Sequence, residues 1–202
     1  MELVIPVDGA ELPATLTLPG ESVRAAVVVL HGAEAGQRSY FLYEHLAHLL
    51  ERAGVAVLRY DRRQSTDRHD VPLRTQASDA LAALRQLREI VNPAPVGLWG
   101  FSQGAWAAPL AAATDPDSVG FLICVSCCGV SPAEQMRAGC AKQLRKHGYN
   151  ESDIAELTAE VVPSSVELRW RSELSGVGST RLDPGIALPA LAGRGHASPP
   201  PL

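Results

Sequence analysis

Along the chain the spacing of apolar positions alternates between the period of a strand and the period of a helix. Residues 2 to 18 alternate on either side of Asp8-Gly9 and close at Pro19-Gly20, which predicts a hairpin. Val23 to Leu30 is an apolar run broken only by Arg24, as in a strand covered on both faces, and it leads into His31-Gly32-Ala33. Leu42, Leu46, Leu49, Leu50 and Ala53 fall on one helical face with Gly54 as a stop, predicting a helix over residues 40 to 53. Val55 to Tyr60 reads as the next buried strand. Ala77, Ala80, Leu81, Leu84, Leu87 and Val91 predict a second amphipathic helix, closed by Asn92-Pro93. Another apolar run ends at Phe101 and gives way to an Ala-rich helix, which Pro109 is expected to bend. Gly120 to Val130 predicts one more buried strand.

Strands alternating with helices imply an α/β fold, a mostly parallel sheet flanked by helices. Ligands of such sheets bind at the carboxyl ends of the strands, where both His31-Gly32 and the stretch after Phe101 fall. From Ser131 onward the character changes: Met136, Cys140 and Leu144, then Ile154, Leu157 and Val161, are spaced helically. Residues 176–202 differ again. Ten of these 27 positions are glycine or proline, so the segment can bury little surface and is expected to be a disordered tail.

Gly100-Phe101-Ser102-Gln103-Gly104 carries the chemistry. A serine flanked by glycines at i−2 and i+2, between a strand and a helix, fits a sharp turn that leaves Ser102 strained and exposed at its tip. Side chains at 100 and 104 would collide there.

Val27 to Gly32, then Arg59-Tyr60-Asp61-Arg62-Arg63, then Gly100 to Gly104 resemble, in order and spacing, the α/β-hydrolase family. The stretch from Gly100 to Ala112, with Val125-Ser126 and Val130 to Gln135, is similar to bacterial esterases related to the serine aminopeptidase group. The resemblance implies that Ser102 is the nucleophile of an acyl-enzyme and that the backbone N–H groups of Ala33 and Gln103 form the oxyanion hole, with Gly32 allowing the first turn. It also implies a helical cap over residues 131–175 on a core of residues 1–130; a plain connecting helix pair is the other reading of that stretch. His31 is expected to brace its loop rather than to take part in catalysis. One departure is Gln64, where such proteins usually carry glycine after Asp-Arg-Arg.

The remaining features narrow the partners. A net charge of −4 supplies no attraction to nucleic acid or an anionic membrane, so the expected partner is a small ester or amide. The arginines of residues 61–70 are read as neutralised locally by Asp61, Asp67 and Asp70. The start of the chain does not read as a signal peptide and no apolar run reaches about 18 residues, so a cytoplasmic location is expected. Four cysteines are too few for a disulfide framework in 202 residues; Cys124, Cys127 and Cys128 are read as buried reduced thiols. His45 and His48 lack matching ligands, and neither a metal nor another cofactor is expected.

A serine nucleophile needs a histidine to take its proton and an acid to orient that histidine, here in the order serine, acid, histidine. Only Asp183 and His196 near the end have that order and type. No strand-like run follows residue 130, so the strands bearing acid and histidine are expected to be absent, through shortening or a change of reading frame. The strand at 120 to 130 then becomes an apolar edge through which the chain could self-associate. Two classes of function stay open: a serine hydrolase, or a non-catalytic fragment or pseudo-enzyme that keeps the pocket without turnover.

Overall fold

Apolar runs that cannot turn one face to water fix the centre of the molecule, because each side chain on them must be covered from one side or the other. The computed structural model describes residues 1–33, 36–64, 71–92, 94–127 and 129–161. These form β1 (Glu2–Val7), β2 (Ala10–Thr17), β3 (Ala25–Leu30), α1 (Phe41–Arg52), β4 (Val55–Tyr60), α2 (Leu73–Val91), β5 (Val96–Phe101), α3 (Gly104–Thr114), β6 (Leu122–Val125), α4 (Pro132–Lys146) and α5 (Glu151–Val161). The strands make one six-stranded sheet in the order β1-β2-β4-β3-β5-β6. The hairpin of β1 and β2 joins antiparallel to β4, and β4, β3, β5 and β6 are parallel neighbours.

The period of two along these strands divides the core. Val28, Leu30, Leu58 and Leu98 point to one face and pack with Ala80, Leu84 and Leu87 of α2 and Ala107 and Ala108 of α3. Val27, Val29, Val57 and Trp99 point to the other, onto Tyr43 and Ala47 of α1. All six positions that define the predicted second helix are buried. The face of α1 is rotated from the expected one: Tyr43 and Ala47 lie at its buried centre, Leu42, Leu46 and Leu50 are half-buried, and Leu49 is exposed. A tyrosine can displace leucine from such a centre when its hydroxyl finds a partner, and Tyr43 Oη accepts the Gly32 N–H at 2.9 Å.

Three further expectations are corrected. The strand expected over 120 to 130 is only four residues long, and its Leu122 and Ile123 are 38% and 41% exposed. It lies at the sheet's edge, where among the described residues no further strand pairs with it. Cys124 and Cys127 are accordingly exposed rather than buried, while Cys128 lies outside the described residues. Among the described residues of the loop after β4, the charges of Asp61 and Arg63 are paired outside the loop. Asp61 binds Arg38, and Arg63 makes a two-pronged pair with the buried Asp79 of α2 at 2.6 and 2.8 Å; residues 65–70 lie outside the described part.

Helix α3 continues through Pro109 to Thr114, with the proline ring exposed. A proline offers no N–H to the carbonyl four residues before it. That carbonyl belongs to Ala105, and it is met by Cys127 Sγ, which donates to it at 3.7 Å.

Candidate active site

Leu30, Tyr60 and Phe101 end three parallel strands on the same side of the sheet. His31-Gly32, Asp61-Arg62 and Ser102 therefore emerge together, at the edge where parallel sheets bind their ligands.

Ser102 takes φ +50°, a left-handed conformation uncommon outside glycine and costing on the order of 1 kcal/mol. Its surroundings hold it there. The Ser102 N–H donates to the Val125 carbonyl of β6 at 2.9 Å, and the Ser102 carbonyl accepts the Ala105 N–H at 3.0 Å. The flanking glycines are required by close approach of backbone. A Cβ at Gly100 would stand 2.5 Å from the Gly104 carbonyl oxygen, and one at Gly104 would stand 2.4 Å from the Leu30 oxygen and 2.8 Å from that of His31. The strand-to-helix turn thus has the geometry its motif predicts.

The loop after β3 is held from behind. Gly32 gives its N–H to Tyr43, and its carbonyl accepts from Arg62 Nη1 at 3.0 Å. The same Nη1 donates to Gln103 Oε1 at 2.7 Å, so one guanidinium nitrogen joins the loop after β3 to the residue after Ser102. Arg62 is itself placed by its N–H, which donates to the Gly36 carbonyl at 2.7 Å. Its stem fills the space a side chain at Gly36 would need: a Cβ there would stand 2.7 Å from Arg62 Cβ. Gln64, the departure noted in the sequence, donates from Nε2 to the Arg62 carbonyl at 3.3 Å. Ala33 is exposed, beside Gly32.

His31 is buried edge-on against the rings of Tyr43 and Tyr60, both centroids 5.2 Å away. Burial, and secondarily the charge of Arg62, lower its pKa to about 3, against a backbone hydrogen bond to Tyr60 that works the other way. Its Nε2 is buried with no partner among the described residues. With so low a pKa the imidazole is neutral near neutral pH and a weak proton acceptor, and it packs between the two rings behind its loop. Burial also raises the Tyr60 phenol above its ordinary value.

Asp183 and His196 lie outside the described residues. Among the described residues no histidine or carboxylate hydrogen-bonds Ser102 Oγ; His48 lies 4.0 Å from Glu51 on α1, and His147 caps α4. No group of three or more His, Cys, Asp or Glu among the described residues could hold a metal ion. Among the described residues no helix is long and apolar enough to cross a membrane. Sequence reasoning missed Arg62, which it placed in a self-neutralised loop. The signal was its position two residues beyond β4, at the same end of the sheet as Gly32 and Ser102.

Comparison with known proteins follows the same lines. No curated protein matches the chain. Among solved structures, a dienelactone hydrolase from Anabaena variabilis is 25% identical, with a TM-score of 0.55 over 61% of this chain and 61% of that one. Est1E from Butyrivibrio proteoclasticus is 26% identical, with a TM-score of 0.51 over 60% of this chain and 49% of that one. A thermostable carboxyl esterase from Bacillus coagulans is 25% identical, with a TM-score of 0.54 over 73% of this chain and 51% of that one. The chain thus matches between about half and three fifths of the length of these relatives. The model of the alpha/beta hydrolase family matches residues 27–201, most of the sequence, and the chain belongs to that family.

Proposed function

We propose that the chain is a serine hydrolase that cleaves carboxylic esters, thioesters or small amides through an acyl-enzyme on Ser102. The observation that carries this reading is the strained Ser102 turn, with Gly100 and Gly104 packed too closely against backbone to carry side chains. Nothing in an ordinary connection calls for that strain, which accumulates where a reactive group must be presented. The hydroxyl attacks the acyl carbon, the carbonyl oxygen takes up negative charge, and the Ala33 and Gln103 N–H groups stabilise it. The serine proton passes to a general base and from it to the alcohol, thiol or amine that departs as the acyl bond breaks; water then attacks the acyl-enzyme by the same route, releasing the acid and restoring the serine. His196, oriented by Asp183, is the arrangement tested for that base. The helices α4 and α5 are read as part of a cap over the acyl pocket.

A second reading keeps the pocket without turnover. It is favoured by the absence, among the described residues, of any histidine or carboxylate on Ser102 Oγ. One comparison separates the two: fluorophosphonate labelling and p-nitrophenyl acetate hydrolysis by the wild type, Ser102→Ala, His196→Ala and Asp183→Ala. An active hydrolase labels on Ser102 and loses both signals in Ser102→Ala. A rate that also falls by three or more powers of ten in His196→Ala places the base in the C-terminal segment, since oxyanion donors and binding alone retain about 10³ to 10⁴ over water. Absence of labelling and of any rate above Ser102→Ala would leave the second reading standing.

A further inference from the structure

The two donors of an oxyanion hole on this fold come from different parts of the chain, one from the loop after β3 and one from the start of α3. Stabilising charge in a transition state requires that they stay within about 0.5 Å of one arrangement. The sheet alone does not fix a loop residue such as Ala33, which is exposed. We infer that Arg62 is a positioning residue that sets the Ala33 and Gln103 donors against each other, acting through the Gly32 carbonyl and the Gln103 side chain. This rests on the reading of Ser102 as the nucleophile.

The argument starts from the peptide bond. The Gly32 carbonyl and the Ala33 N–H belong to one planar trans unit, so they point in opposite directions. Once Arg62 Nη1 holds the carbonyl at 3.0 Å, the direction of the Ala33 N–H is fixed as well. The peptide before it is held by Tyr43, through the Gly32 N–H. A cation on the carbonyl also polarises the unit and makes its N–H a stronger donor. On the other side the same nitrogen holds Gln103 Oε1 at 2.7 Å, which ties down the residue whose backbone N–H is the second donor. The brace is anchored in turn, because the Arg62 N–H is bonded to Gly36 and its stem occupies the room beside that glycine. A guanidinium suits this place, since its delocalised charge and rigid fork lose less freedom per bond than an ammonium on a flexible stem.

The test uses the full 202-residue chain with Arg62→Met, which keeps the stem, and Arg62→Lys, which keeps a cation. Three quantities are read: kcat and KM for p-nitrophenyl acetate, the amide resonances of Ala33 and Gln103 in uniformly ¹⁵N-labelled protein, and the midpoint of thermal unfolding. The expected result for Arg62→Met is a 10- to 100-fold fall in kcat with KM within about twofold, in line with the cost of misplacing reacting groups by about 1 Å. Both amide resonances move, and Arg62→Lys recovers part of the rate. Unmoved resonances, or a loss in KM and unfolding midpoint without a selective loss in kcat, would overturn the inference and leave Arg62 a structural residue. If no variant, the wild type included, turns over substrate while both resonances still move, the brace stands and the hydrolase reading falls.

Discussion

The strands β3 and β5 and the strand β6 belong to one sheet, and they meet solvent differently. On β3 every residue from Ala26 to Leu30 is buried, because helices cover both faces and strands lie on both edges. On β6 three of four residues are exposed, although Leu122, Ile123 and Cys124 are as apolar as anything on β3. Sequence therefore sets how a strand is built, whereas its neighbours decide whether it is covered. The consequence for function is that Ser102 sits at the boundary: its strand is central, and its N–H hangs on the edge strand through Val125.

The largest test of this contrast is at glycines. Gly104→Ala forces a methyl against the Leu30 and His31 carbonyls, which are backbone and cannot swing aside, and a loss of about 3 kcal/mol is expected. Gly139→Ala, in the middle of α4 with nothing within 4 Å, is expected to stabilise by about 0.5 kcal/mol. Urea unfolding midpoints check both, and equal effects would erase the distinction between centre and periphery.

Acid provides the next test, through His31. Its folded pKa, about 3, lies below the unfolded value near 6.5, so between these the unfolded chain binds the extra proton. Stability is then full above pH 6.5 and is lost as the pH falls towards 3, by on the order of 1 kcal/mol per unit. In His31→Phe the slope between pH 6.5 and 4 should flatten; an unchanged slope would move the acid sensitivity elsewhere.

The smallest energetic effect is expected on β6. Ile123→Lys changes a 41% exposed position and should alter unfolding stability by less than about 0.5 kcal/mol. If the bare edge pairs with another copy, as proposed from its sequence, the same charge lowers the concentration-dependent mass seen by light scattering. A wild-type mass constant with concentration would show that something already covers that edge.

Much of the central sheet was legible because its residues answer to local rules. The continuous runs of β3, β4 and β5 and the six buried positions of α2 follow from spacing alone, and Gly100 and Gly104 announced the turn at Ser102. What stayed hidden depends on distant partners. Tyr43 displaces leucine at the centre of α1 because the Gly32 N–H, eleven residues earlier, needs its hydroxyl. Arg62 and Arg63 sit among aspartates in sequence, yet the first turns to Gly32 and Gln103 and the second to Asp79. The exposure of β6 could not be read from its own residues, since it reflects what lies next to it. The proposed acid and base, Asp183 and His196, fall outside the described residues and outside any recognisable strand pattern.

The bond from Ser102 to Val125 has a consequence for the order in which the molecule assembles. A left-handed serine is unfavourable in a free chain, so contacts made beforehand must impose it. The carbonyls that crowd Gly104 are those of Leu30, at the end of β3, and of His31 just after it, 74 and 73 residues earlier, and the bond to the Ser102 amide comes from β6, the last of the described strands in sequence. Pairing of such separated segments waits on loop closure and is slow relative to helix formation. The conformation of Ser102 is therefore a late product of folding, complete only when β6 has docked. An emerging or partly unfolded chain carries the serine but not yet the strained turn.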